Sequence, residues 1–274
     1  MLHRNIPSSM DSAIVAEIDA RLDAIRSSEG VAIPLAIESG SRAWGFPSPD
    51  SDYDCRFVFV RPMAQYLTPW PRRDVIETPL EGELDVNGWD LGKAVKLLFK
   101  GNAVIIEWLT SPIAYGVNET FRDVFLDLAQ EIADREMIAR HYLHLGIGQR
   151  NTYFADQKAV SLKKVFYALR PAAALRWLRH HPEASVAPMH FQTLLEQCEP
   201  PSDGQAVVAE LTAKKAVTRE LGKAPLPKPI ARFIDDEFEA ATAAFPAQSQ
   251  PLDSLRQDRA ETFFRDAIDL VWRA

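Results

Sequence analysis

Apolar residues along this chain change their spacing partway through. Between Val31 and Trp89 they come in short runs or alternate with polar positions, and beyond Leu91 they recur every three or four residues. The first pattern marks strands and the second marks amphipathic helices. It predicts a helix from Asp11 to Ser28 and strands near 31–38, 53–61, 74–78 and 83–89. Helices follow at 91–100, 103–110, 118–129, 131–156, 161–180, 188–197, 204–221, 228–244 and 253–272. Proline-rich breaks such as Pro200-Pro201 and Ala224-Pro225-Leu226-Pro227 separate the later ones. A sheet followed by helices predicts an α+β fold, divided into residues 1–112 and a helical domain over 113–274. Asp90 stands immediately before the helix that opens at Leu91 and reads as its N-cap.

Composition narrows this only slightly. With 274 residues, 47% of them hydrophobic, the chain can bury a substantial core. No apolar run reaches the length of a membrane span, and Met1 to Met10 lacks the apolar segment of a signal peptide, so a cytoplasmic location is expected. Cys55 and Cys198 form neither a metal box nor a disulfide framework, and Cys55 reads as a small apolar core residue. The net charge of −7 argues against bulk attraction to nucleic acid, but it is uneven: −5 over 1–112, +3 over 113–232 and −5 over 233–274. Lys158, Lys163, Lys164, Arg170, Lys214 and Lys215 belong to the basic middle, which would suit a polyphosphate or an RNA backbone or would simply be a solvated face.

The chemistry concentrates in Ile37-Glu38-Ser39-Gly40-Ser41-Arg42-Ala43-Trp44-Gly45-Phe46 and the following Ser51-Asp52-Tyr53-Asp54. Residues at i and i+2 share a strand face, so Asp52 and Asp54 are expected to point together. Two adjacent carboxylates repel unless a cation or a proton lies between them, and a divalent metal would serve. Gly40 and Ser41 form the turn leaving the first strand, where backbone N–H groups and the Ser41 hydroxyl can take phosphate oxygens. Asp85, flanked by Leu84 and Val86 on a later strand, is the candidate third carboxylate and shares a face with Glu83 and Asn87. Further along, Lys163, Tyr167 and Arg170 lie at i, i+4 and i+7 of one helix and could face one ligand, or form a salt-bridged surface over Val165, Phe166 and Leu169.

Gly-Ser followed after a short loop by Asp-x-Asp resembles the active-site signature of the DNA polymerase beta-like nucleotidyltransferase superfamily. More narrowly, Gly-Ser-Arg-Ala-Trp-Gly-Phe with Ser-Asp-Tyr-Asp resembles the RlaP family, predicted nucleotidyltransferases linked to RNA repair. The likeness continues through Gly88-Trp89-Asp90-Leu91, Glu107-Trp108-Leu109 and Lys163-Lys164-x-x-Tyr167-x-Leu169-Arg170-Pro171, and through Lys214-Lys215 and Glu220-Leu221-Gly222. It implies a mixed sheet followed by a mostly helical C-terminal region. It implies Asp52, Asp54 and Asp85 as catalytic metal ligands for Mg²⁺ or Mn²⁺, with Gly40, Ser41 and Arg42 on the β and γ phosphates of a nucleoside triphosphate. Lys163, Lys164, Tyr167 and Arg170 would contact the triphosphate or the acceptor.

These expectations amount to a metal-dependent transfer of a nucleoside monophosphate to an acceptor hydroxyl, with pyrophosphate released. The acceptor stays open among an RNA or tRNA end, a protein side chain and a small molecule, and a nucleotide-binding sensor without turnover is a further alternative. Rival chemistries lack their residues: His141 and His144 bring no further metal-ligand pattern, no Gly-x-Ser-x-Gly elbow occurs, and the glycine loop lacks the Gly-Lys-Ser/Thr ending of a Walker A motif.

Overall fold

The structure is a computed structural model that describes residues 2–154, 159–219, 221–246 and 253–273; Lys158 and Glu220 lie outside the described residues. Its packing divides into two compact units. One comprises Met1–Ala43, Asp52–Ala133 and Leu252–Ala274, and the other Trp44–Ser51 and Asp134–Pro251.

The first unit runs through β1 (His3–Asn5), α1 (Ser12–Glu29), β2 (Ala32–Glu38), α2 (Gly40–Ala43) and β3 (Tyr53–Val60). It continues through α3 (Met63–Tyr66), β4 (Val75–Glu77), β5 (Leu84–Asp90), α4 (Leu91–Phe99), α5 (Ala103–Leu109), β6 (Ala114–Val117) and α6 (Glu119–Ile132). The second unit holds α7 (Arg135–Tyr153), β7 (Val160–Ser161), α8 (Leu162–His180), α9 (Phe191–Cys198), α10 (Ser202–Val217), β8 (Lys223–Ala224) and α11 (Lys228–Ala244). The last helix, α12 (Ser254–Arg273), packs in the first unit.

The first unit is an α+β assembly around a mixed six-stranded sheet in the order β1-β6-β2-β3-β5-β4. β3 and β5 run parallel, with Asp54 opposite Asp85 and Arg56 opposite Asn87; the other pairings are antiparallel. Alternation along β3 divides its side chains between two faces. Tyr53, Cys55, Phe57 and Phe59 join Leu84 and Val86 of β5 in a core covered by Val15, Ile18, Leu22 and Ile25 of α1. That leaves Asp54 and Arg56 on the other face. α1 starts where the Asp11 side chain accepts the Ala13 N–H at 2.8 Å, and it stops at Gly30 with φ +61°.

The predicted strands and most predicted helices form close to their expected bounds. Asp90 caps α4, its Oδ1 accepting the Gly92 N–H at 2.7 Å. The predicted helix over 131–156 does not begin at 131. α6 continues to Ile132, and Asp134 then starts α7 by accepting the Met137 N–H at 2.9 Å. Nor does the change of spacing after Trp89 end the sheet, because β6 enters it between β1 and β2. Four buried residues including Gly116 give it no alternation to read.

In the second unit α8 is the central helix, packed by α7, α9 and α11. The Trp44–Ser51 segment joins it through Phe46, which stacks on Phe166 with ring centroids 4.7 Å apart and meets Phe191 edge-on at 5.4 Å. These rings supply apolar burial to a segment otherwise made of turn residues.

Candidate active site

Parallel register sets Asp54 and Asp85 side by side, and Arg56 lies between them. Its Nη2 donates to Asp54 Oδ1 at 3.1 Å and to Asp85 Oδ2 at 2.6 Å, while Nη1 donates to the Asp85 carbonyl at 2.9 Å. About a quarter of each carboxylate side chain remains exposed. Asn87 Nδ2 donates to Asp85 Oδ1, and the buried Asn87 Oδ1 has no hydrogen-bond partner among the described residues. Burial raises the Asp54 carboxyl above its ordinary value; Arg56 pulls it down and Asp85 and Asp52 push it up.

The Gly-Ser turn fits closely against this pair. Gly40 has φ +60°, and a Cβ there would stand 2.0 Å from Asp54 Oδ2. Only glycine leaves that oxygen its place. The Ser39 N–H donates to the Asp54 carbonyl at 2.8 Å, fastening the turn to β3. Arg42 Nε donates to the Asp52 carbonyl at 3.1 Å, and its guanidinium lies 3.8 Å from the centroid of the Tyr53 ring. Asp52 itself is exposed and stands one residue before β3.

Beneath the site lies Glu38, fully buried at the end of β2. Its Oε1 accepts the Asp54 N–H at 2.9 Å, and its Oε2 accepts the Tyr115 hydroxyl at 2.5 Å. Burial pushes the Glu38 carboxyl up to about 7, against the downward pull of these two hydrogen bonds. Glu38 and Arg56 are the site residues that the sequence analysis did not single out. Arg56 was accessible through the same two-residue period that paired Asp52 with Asp54. Glu38 carried only the weaker signal of an acid ending an apolar strand.

The oxygen atoms of Asp54, Asp85 and Asn87 are hard donors of the kind that Mg²⁺ accepts, so the chemistry of the set fits such an ion. Among the described residues, no group of three or more His, Cys, Asp or Glu side chains converges on one point. Asp54 and Asp85 converge, and the cation between them is Arg56.

The remaining candidates belong to the second unit, where Lys163, Tyr167 and Arg170 hold its own Trp44–Ser51 segment. Lys163 Nζ lies 3.0 Å from both Asp50 carboxylate oxygens. Burial would raise the Asp50 carboxyl, but the hydrogen bonds from Lys163, Ser48 and the backbone together outweigh it and keep it low. The buried Arg170 lies 4.8 Å from the centroid of the Trp44 ring and donates through Nη2 to the Met189 carbonyl at 3.1 Å. Tyr167 meets Trp44 edge-on, and Lys164 Nζ lies over the Tyr167 and Tyr153 rings at 4.8 and 5.1 Å. Lys215, also buried, donates to the Phe46 carbonyl.

Residues 14–266 match the model of the RNA repair pathway DNA polymerase beta family. The chain belongs to that family, RlaP. It is also 34% identical over 255 residues to the uncharacterized protein YcgL of Bacillus subtilis (strain 168), an alignment covering 92% of this chain and 95% of that protein. No described helix is long and apolar enough to cross a membrane.

Proposed function

We propose that the chain is a nucleotidyltransferase that moves a nucleoside monophosphate from a nucleoside triphosphate to a hydroxyl at an RNA end, tRNA included, and releases pyrophosphate. The observation that carries this reading is the in-register pair Asp54 and Asp85, with the Gly40 backbone against Asp54. Asp54, Asp85 and the nearby Asp52 would hold Mg²⁺ or Mn²⁺. Such an ion, when bound, lowers the pKa of an attacking hydroxyl and neutralises charge on the leaving group. Arg56 donates through Nη2 to both carboxylates and so offsets the repulsion between them. Gly40 and Ser41 offer the β and γ phosphates backbone and hydroxyl donors, and Arg42 offers a guanidinium. Lys163, Lys164, Tyr167 and Arg170 remain candidate ligand contacts, Lys163 and Arg170 with the additional task of holding Asp50 and Trp44. Family membership supports RNA as the acceptor class.

The test is to incubate the protein with each α-³²P nucleoside triphosphate, Mg²⁺ and total cellular RNA, beside an Asp54→Ala/Asp85→Ala control. Label on RNA that disappears in the control is the expected result. Label on protein alone would replace RNA by a protein hydroxyl, and no labelled product from any triphosphate would overturn the transfer reading.

A further inference from the structure

At the other end of β3 and β5 from the aspartates, the first unit encloses a cavity of about 590 Å³, a size suited to a small ligand. It begins near Asp90, five residues along β5 from Asp85, or roughly 17 Å at the rise of a strand. α3, α4, α12 and the loop after α3 form its walls.

Its charge is markedly positive. Lys93 and Lys96 of α4 and Lys100 just past its end line it, with Arg72 and Arg73 from the loop and Arg265 from α12. The acids on the wall are Asp74, Asp90 and Glu261. Lys93 pairs with Asp74 at 3.2 Å, whereas Arg72, Lys96 and Lys100 make no ion pair among the described residues. Such an excess of cations around a concave surface attracts phosphate.

Arg61 sets this cavity apart from an ordinary basic surface. Its side chain is 5% exposed, yet its Nε has no hydrogen-bond partner among the described residues and lies 4.0 Å from Asp90 Oδ2. Its other contacts are long as well: Gln65 Oε1 at 3.4 Å, the Arg73 carbonyl at 3.5 Å and Glu29 Oε2 at 3.7 Å. A buried guanidinium held so loosely carries unmet donor capacity that an anion would satisfy. Beside it stand aromatic rings. Tyr66 and Phe264 meet edge-on at 5.0 Å, Phe99 lies further along the wall, and Trp70, between the lining residues Thr68 and Pro71, is 79% exposed.

We propose that this cavity is a nucleotide-binding site separate from the aspartate pair, with the phosphate taken by Arg61 and the α4 lysines and the base set against Phe264 and Phe99. The nucleotide is either one unit of an RNA strand or a free mononucleotide, since both offer a phosphate joined to a stacking ring. The site does not require the transfer reaction.

Fluorescence anisotropy in EDTA tests it, using a fluorescein-labelled single-stranded 12-nucleotide RNA and a fluorescent AMP analogue as probes on the full chain. Phe264→Ala removes a ring without changing charge, Lys96→Glu alters an exposed position, and Arg61→Gln removes the buried cation, with thermal melts reporting folding. Loss of one stacked base predicts binding weakened about fivefold or more in Phe264→Ala, and Lys96→Glu is expected to reduce the salt dependence. Weakened RNA binding supports a strand unit, and weakened AMP binding supports a free nucleotide. Binding of neither probe, or Phe264→Ala binding both as the parent does while folded, overturns the proposal. An Asp54→Asn/Asp85→Asn chain inactive in transfer is expected to keep the Phe264-dependent binding, which separates failure of this site from failure of the transfer reading.

Discussion

Gly40 and Asp54 occupy one space: the carboxylate oxygen of the second stands 2.0 Å from where the first would carry a Cβ. The turn that would cradle phosphate and the residue that would serve the metal are therefore fitted to each other. Gly40→Ala is expected to cost about 1–2 kcal/mol for the left-handed backbone alone and more for displacing the carboxylate. In an Asp54→Ala background the second cost disappears, so denaturation of the two single variants and the double variant should show coupling. Additive losses would mean that Asp54 turns away freely.

Asp54→Ala and Asp85→Ala are each expected to reduce nucleotidyl transfer by about two orders of magnitude or more, the scale of losing one electrostatic contributor to a transition state. Either change leaves Arg56 bonded to the remaining aspartate and relieves the repulsion between the pair, so the cooperative melt should survive. Normal turnover in either variant would remove that residue from the site.

Tyr115→Phe withdraws the hydroxyl that bonds to buried Glu38. An unsatisfied buried acceptor costs about 1–3 kcal/mol, and urea denaturation would read that loss. An unchanged midpoint would show that solvent replaces the hydroxyl.

Burial holds the Asp90 carboxyl above its ordinary value, although the Gly92 N–H, the Tyr66 hydroxyl and Arg61 pull it down. A carboxyl raised on folding makes the folded state the stronger proton binder, so stability falls as pH rises from the unfolded pKa through the folded one. Asp90→Asn keeps an acceptor for the Gly92 N–H and does not ionise. Its stability relative to the parent is expected to improve between about pH 4 and about pH 7. Denaturation at the two pH values checks the sign, and relative improvement toward acid would show the ionised carboxylate to be favoured.

Both cysteines are fully buried. Burial pushes the Cys198 thiol up to about 12 and the Cys55 thiol well above its ordinary value. Neither should react with iodoacetamide at neutral pH in the native state, and both should react in guanidinium, as intact-mass measurement would show. Native labelling would reveal local opening at the modified helix or strand.

Much of this arrangement was legible in the chain because period-two alternation carries both fold and chemistry. The same rule that buries Tyr53, Cys55 and Phe57 turns Asp54 and Arg56 to the opposite face, and it places Asp85 with Asn87. What period cannot supply is which strands become neighbours. The bond from Arg56 to Asp85 spans 29 positions, and the bond from Tyr115 to Glu38 spans 77. Short β6 was hidden for a related reason, since a strand buried between two others shows no polar face. On α8 the predicted common face of Lys163, Tyr167 and Arg170 is real, and within its unit that face engages Asp50 and Trp44.

The chain passes from one compact unit to the other after Ala43, Ser51, Ala133 and Pro251. A single break in the gene or the polypeptide therefore cannot separate the two units. A piece ending at Ala133 keeps the sheet but loses α12, and a piece beginning at Asp134 loses Phe46 with the aromatic stack it completes. Neither unit could be acquired, discarded or exchanged as one contiguous module, and an evolving lineage would have to keep both or rebuild both.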